Sequence, residues 1–261
     1  MSKGIRMGNF KSLKKPLLSQ EVELAIKKAI LEETYKAGEK LPSERELVEQ
    51  FQVSRVTVRE AFRNLQSSGL ITIKRGVNAG AYVAEPNSHP ITESFQNLIH
   101  LGHIDYSHLI DARLYIEPRA AEMAAKYRSA EDLQRLNSLL DMAEEMAAKY
   151  HKRARLMNVS FHCEVAKITR NPIILFITES ITQSYSALMI DQTQHRLNRE
   201  DILKFIGEHR DILGSIDKQH PEEAYEKTRR HLLETYLTYS RVAPGECTQD
   251  IDHRIRQGYN L

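Results

Sequence analysis

Eleven histidines occur in this chain of 261 residues, and three of them are placed where their imidazoles could act together. His162, His209 and His231 each fall midway along a different stretch of helical periodicity. A neutral imidazole is the commonest side-chain ligand of a transition metal. Asn158 precedes His162 by one helical turn, so its carbonyl oxygen and that ring share a face. Pattern alone leaves two readings open, a divalent metal site or a set of core and groove-lining rings. The other eight histidines fall in a linker, a tail, interhelical breaks or helix ends. Arg113 has Glu117 four residues on, at ordinary salt-bridge spacing along one predicted helix.

A different chemistry gathers upstream. Ser54, Arg55, Thr57 and Arg59 put hydroxyl and guanidinium donors at the start of one helix. Arginine can bond both major-groove acceptors of guanine; a solvated basic face is the plainer reading. The elements that position these residues favour the first. Ser43 and Glu46 form a capping-box pair opening a short helix, whose Leu47, Val48 and Phe51 point inward. After a break at Gln52 and Val53, Ser54 caps a helix from Arg55 to Ser67. Val58, Ala61, Phe62 and Leu65 recur at helical spacing and must pack inward, leaving the arginines elsewhere. Gly69 stops the helix, because glycine enters the left-handed region cheaply. Ile71 to Ile73 and Ala81 to Val83 alternate as strands around a turn, so a β-hairpin follows the two helices. That order is a winged helix-turn-helix, whose second helix enters the major groove.

The stretch LPSERELVEQFQVSRVTVREAFRNLQSSGLITIKRG resembles the DNA-binding domain of GntR-type bacterial transcription regulators, and the likeness covers residues 18 to 85. It implies that Arg45, Ser54, Arg55, Thr57 and Arg59 contact bases and phosphates. It further implies that Arg75 and Gly76 form a wing tip entering the minor groove.

Charge supports that placement. Up to Pro90 there are 15 Lys and Arg against 10 Asp and Glu, a net +5; beyond it the counts are 22 and 25, a net −3. The positive charge sits in the segment expected to meet DNA. Cys163 and Cys247 are the two cysteines, without zinc-ribbon or redox spacing, which excludes a disulfide framework. No apolar run is long enough for a membrane span or a signal-peptide core, so a cytoplasmic protein with no membrane partner is expected.

Length and pattern predict two domains in a mainly α chain: an N-terminal winged helix-turn-helix and an all-α C-terminal bundle of about seven helices. A basic arm at 1–17 is expected to be flexible, and the head covers 18–85. A proline-bounded linker spans 86–91 and the bundle 92–241; a loose tail closes the chain at 242–261. Predicted helices in the bundle are 92–101, 106–127, 130–150, 152–169, 172–191, 199–217 and 222–241.

The bundle resembles the FCD effector-binding domain of the FadR branch of GntR regulators, through DARLYIEPRAAEMAA, NVSFHCEVAKITRNP, EHRDILGSI and RRHLLETY. Metal-binding members place an aspartate four residues before a first histidine, with two more histidines downstream at offsets that His162, His209 and His231 reproduce. Asn158 stands where aspartate is usual, and its neutral amide would leave the full charge of a divalent ion uncompensated. The resemblance implies zinc or nickel, with manganese a further candidate. It implies that Arg113 pairs with a small carboxylate effector. It also implies a homodimer acting on an inverted repeat in double-stranded DNA, as a ligand-responsive repressor of a catabolic or transport operon. One alternative is the same regulator with a metal-free cavity for a larger ligand such as an acyl-thioester. A more distant one is a metalloenzyme, for which the sequence offers no evident general base.

Overall fold

The structure, a computed structural model, describes residues 17–149, 151–193, 199–242, 253 and 255–258. The expected basic arm, but for Leu17, lies outside the described residues, as do most of the tail, Cys247 and the side chain of Asn158. Ten named helices and two strands follow in the order α1 (Leu18–Leu31), α2 (Glu44–Phe51), α3 (Arg55–Ser67), β1 (Ile71–Lys74), β2 (Gly80–Val83), α4 (His89–His100), α5 (Tyr106–Tyr127), α6 (Ala130–Lys149), α7 (His151–Ile168), α8 (Pro172–Thr193), α9 (Arg199–Asp217) and α10 (Pro221–Val242). The chain divides into two compact units after Pro90. Mainly α architecture is thus observed, and the bundle helices match the periodic stretches within a few residues.

In the first unit the capping box at Ser43 and Glu46 is complete, and the Ser54 hydroxyl accepts from the Thr57 N–H. Satisfying otherwise orphaned amides in this way fixes where α2 and α3 begin. Gln52 takes the left-handed conformation between them, making the turn with no glycine present. Val22, Ile26, Leu47, Val58, Phe62, Leu65, Ile71 and Val83 form one apolar core. The strands pair antiparallel with Ile71 opposite Val83 and Lys74 opposite Gly80, so Arg75 and Gly76 fall in the hairpin turn.

In the second unit α5 is the organising helix, packing against α7, α8, α9 and α10. Its first half joins an apolar cluster of Tyr106, Leu109, Ile110 and Leu114 with residues of α8, α9 and α10. Its second half joins another, in which Ala121, Ala124 and Ala125 meet Phe161, Val165 and Ile168 of α7 and Ile212 and Ile216 of α9. Small alanines let those helices approach closely. Between the two clusters α5 places Arg113 and Glu117, both buried.

Two boundaries differ from expectation. Helix α4 starts at His89, inside the expected linker, where the Asn87 side chain accepts from the His89 N–H and opens the helix. In the expected loose tail, residues 255–258 are helical and Ile255 is buried in the Tyr106 cluster.

Gly69 has φ +75°, and a Cβ there would lie 2.5 Å from Cγ of Pro90. A left-handed non-glycine residue costs about 1–2 kcal/mol, and the proline ring cannot swing aside. Gly69→Ala should therefore lower stability by at least that amount, read as a reduced midpoint in thermal unfolding followed by circular dichroism.

Candidate metal centre and DNA-reading face

Three helices bring the three mid-helix histidines to one point. His162 from α7, His209 from α9 and His231 from α10 are all buried, and their ligand-capable nitrogens lie within 4.8 Å of one another. Nε2 of His209 is 3.1 Å from Nε2 of His162 and 3.0 Å from Nε2 of His231. The Phe161 ring stacks on His209 with centroids 4.4 Å apart, and Phe205 meets His231 edge-on.

The far sides of two rings fix what the near sides present. Nδ1 of His162 lies 2.8 Å from Oε2 of Glu117, and Nδ1 of His231 lies 2.6 Å from Oε2 of Glu208. A carboxylate accepts, so each Nδ1 carries the proton and donates it, and each of those Nε2 atoms turns a lone pair inward. His209 could donate one Nε2–H to one neighbour; the other acceptor would still face it unpaired. Three convergent nitrogens with at most one proton among them suit a cation. Ligands about 2.0–2.1 Å from a common ion lie roughly 3 Å apart, as these do. Imidazole donors backed by carboxylates fit a zinc- or nickel-type divalent metal.

Burial keeps the rings ready for that task. It pushes His162 down to about 4 despite the opposing pull of Glu117, and it lowers His209 strongly, with the neighbouring His231 adding to the effect. Both are neutral at neutral pH. The Nδ1 of His209 is buried and unpartnered among the described residues.

Arg113 sits beside this cluster. Its Nε and Nη2 donate to the two oxygens of Glu117 at 2.7 and 3.2 Å, so the simpler salt bridge expected from the sequence is present. The guanidinium also lies 4.7 Å from the Tyr185 ring centroid. Burial works to raise the Glu117 carboxyl, but Arg113 and His162 outweigh it and hold it at about 2. Asn158 stands one turn before His162 in α7. The carboxylates behind the histidines were not legible in the pattern. Glu117 is 45 residues from the ring it holds, and Glu208 adjoins His209 in sequence yet supports His231.

On the first unit, Arg55 and Arg59 lie exposed on α3, and both donate to Glu44 at the start of α2, at 2.9 and 3.0 Å. Burial tends to raise the Glu44 carboxyl, but the two arginines outweigh it and leave it lowered. Arg45 is highly exposed and pairs with Glu49, while the Ser54 and Thr57 hydroxyls bond each other. Glu44, which neither periodicity nor motif singled out, collects the two arginines on one carboxylate.

A winged helix-turn-helix with arginines on its second helix, followed by an all-helical unit holding a buried three-histidine cluster, defines a DNA-binding regulator with a sensing domain. The pattern for bacterial regulatory proteins of the gntR family matches residues 18–83, and that for the FCD domain matches residues 108–234. The chain is 31% identical to the Uxu operon regulator of Haemophilus influenzae, over 79% of this chain and 76% of that one. It is 30% identical to the HTH-type transcriptional repressor NanR of Cronobacter sakazakii, over 87% and 86%. Among solved structures, a GntR protein of Streptococcus agalactiae is similar with a TM-score of 0.60 and 27% identity, over 83% of this chain and 98% of that one. The chain belongs to the GntR family of bacterial transcription regulators and carries an FCD domain. It is a DNA-binding regulator, not an enzyme. Among the described residues no helix is long and apolar enough to cross a membrane.

The lowered histidines set a sign for pH dependence. Unfolded histidine takes up a proton near pH 6.5, whereas native His162 does so at about 4. As pH falls below 6.5 the unfolded chain binds more protons, so stability present above that pH is lost, at up to about 1.4 kcal/mol per pH unit for each such ring. Chelator-stripped protein should lose melting temperature between pH 6.5 and 5. His209→Phe, with a ring that takes no proton, should show a shallower fall; an identical slope would overturn the assignment.

Proposed function

We propose that this regulator is a homodimeric repressor of a catabolic or transport operon, released from its operator by a small carboxylate bound with the help of a divalent metal. The observation that carries this reading is the convergence of three buried histidine nitrogens, two of whose rings are held by carboxylates. His162, His209 and His231 hold the metal, with Asn158 completing the set from one turn along α7. Zinc or nickel suits imidazole best, and manganese is acceptable. When bound, the ion supplies positive charge and an open position for a carboxylate oxygen. Arg113 presents its fork to the same carboxylate, exchanging part of its bond with Glu117 for the effector.

In this reading the head at 18–85 reads DNA and the unit at 92–241 binds effector and dimerises. Ser54 and Thr57 meet phosphates at the start of α3. Arg55 and Arg59 leave Glu44 for base edges, Arg45 adds phosphate contact, and Arg75 with Gly76 places the wing tip in the minor groove. Two-fold symmetry in the dimer asks for an inverted repeat in the operator. The Cronobacter relative is named a transcriptional repressor, which supports repression. A chromosomal operator puts the protein in the cytoplasm.

Adding zinc or nickel to chelator-stripped protein at about 100 times its Kd should stabilise it by roughly 2.7 kcal/mol, a shift of several degrees in melting temperature. His209→Ala should abolish the shift. No shift in wild type would remove the metal and favour a larger, metal-independent ligand.

For the head, a duplex selected by the wild-type protein from a randomised pool provides the operator. Arg55→Ala or Arg59→Ala should weaken binding to it by about 1–3 kcal/mol for each lost base contact, while binding to random duplex falls far less. Unchanged discrimination in both variants would overturn the recognition role.

A further inference from the structure

We propose that Glu117 is a positioning residue that ties Arg113 to the metal ligand His162, so that what Arg113 holds sets how tightly metal is held. The proposal rests on the metal site and the carboxylate-binding role of Arg113 given above. Its geometry is that of one carboxylate with two clients. Oε1 accepts from Arg113 Nε at 2.7 Å, while Oε2 accepts from Arg113 Nη2 at 3.2 Å and from His162 Nδ1 at 2.8 Å. All three side chains are at most 5% exposed, so their charges are screened by protein alone. Arg113 and Glu117 stand one turn apart on α5, and His162 comes from α7.

A single negative charge divided between a cation and an imidazole N–H couples the two. When Arg113 turns toward another carboxylate, Glu117 is left to His162, whose ring becomes a stronger donor through Nε2. Conversely, a cation at Nε2 polarises the Nδ1–H toward Oε2 and loosens the hold of Glu117 on Arg113. Linkage requires both directions to have equal size, so effector and metal bind with positive cooperativity.

The second supporting carboxylate provides an internal control. Glu208 holds His231 Nδ1 at 2.6 Å, but its other oxygen faces Lys204 at 3.7 Å, and it is 21% exposed. Its cation pair is longer and solvent-screened, so Glu208 supports His231 with little coupling to a charged neighbour.

Glutamine at position 117 separates these roles. It has one acceptor oxygen where glutamate has two, and Arg113 brings two donors to it. Its carbonyl therefore turns to Arg113 and its NH2 donates to His162 Nδ1. That moves the ring proton to Nε2, the atom that must bind metal. The experiment uses the full chain, with zinc as the sole ligand, in competition with a chromophoric chelator. Histidine nitrogen chemical shifts of the stripped protein report the tautomer. Glu117→Gln should weaken zinc by about 10- to 100-fold and move His162 from the Nδ1–H to the Nε2–H form. Glu208→Gln should weaken zinc while leaving the His162 tautomer unchanged.

Arg113→Met, or the likewise uncharged Arg113→Gln if the methionine variant does not fold, should raise zinc affinity in the wild-type and Glu208→Gln backgrounds. With Glu117→Gln, Arg113→Met frees the amide carbonyl to accept from His162 and should return that ring to the Nδ1–H form. A His162 tautomer unchanged by Glu117→Gln, or one that Arg113→Met does not reverse in that background, overturns the coupling. Zinc binding insensitive to His209→Ala would instead remove the metal site beneath it.

Discussion

Three imidazole nitrogens facing one another inside a helical unit form the constraint on which this structure depends. Without a cation, acceptors at 3.0–3.1 Å repel or leave a lone pair unmatched. The surroundings nevertheless hold them there. Phe161 stacks on one ring, Glu117 and Glu208 fix the other two, and apolar clusters close the layer above and below along α5. A buried polar layer held so firmly is expected where a site is built for an occupant. Apolar residues of the same volume would stabilise the bundle at least as well.

Much of this was legible in the chain. The winged helix-turn-helix follows from local rules: caps at Ser43 and Ser54, inward spacing of Val58, Phe62 and Leu65, and a left-handed stop at Gly69. The bundle helices follow from 3.6-residue periodicity broken by Gly102, Asn171-Pro172 and Pro221. Metal-ligand offsets pointed to the three histidines, which the fold brings together. Tertiary partners were not legible. Glu117 looked like a helical salt-bridge partner, which it is, but its second bond runs to another helix. Nothing near Glu44 in sequence announces that it gathers Arg55 and Arg59, 11 and 15 residues away. Polar composition likewise hid the burial of Ile255.

The two arginine arrangements differ in what their release costs. Arg55 and Arg59 are exposed, and surface ion pairs with Glu44 contribute about 0–1 kcal/mol. On the proposed reading, DNA would replace that carboxylate with phosphates and guanine edges at little expense. Glu44 keeps the guanidinia close together and spares them mutual repulsion while DNA is absent. Arg113 is buried, and withdrawing its partner outright would leave an uncompensated charge, which typically costs 3–5 kcal/mol. On the same reading, only another anion delivered to the same place can take over, so the second arrangement would be selective where the first is permissive.

Selectivity at Arg113 becomes regulation only if the occupied and empty sites favour different arrangements, because a ligand with equal affinity for both shifts nothing. The packing offers a contiguous route for such a difference. Arg113 lies over Tyr185, and that ring packs in the cluster with Tyr106, Tyr236 and Tyr239. Phe95 and Ile99 of α4 pack against the same cluster, and Thr92 of α4 donates to Gln183 of α8. Helix α4 is the element into which the chain runs directly after the winged head. Contiguity is not coupling, but it restricts where coupling can act. On the proposed reading, the route from Arg113 to α4 runs through close-packed aromatic side chains rather than through loops that would absorb a displacement.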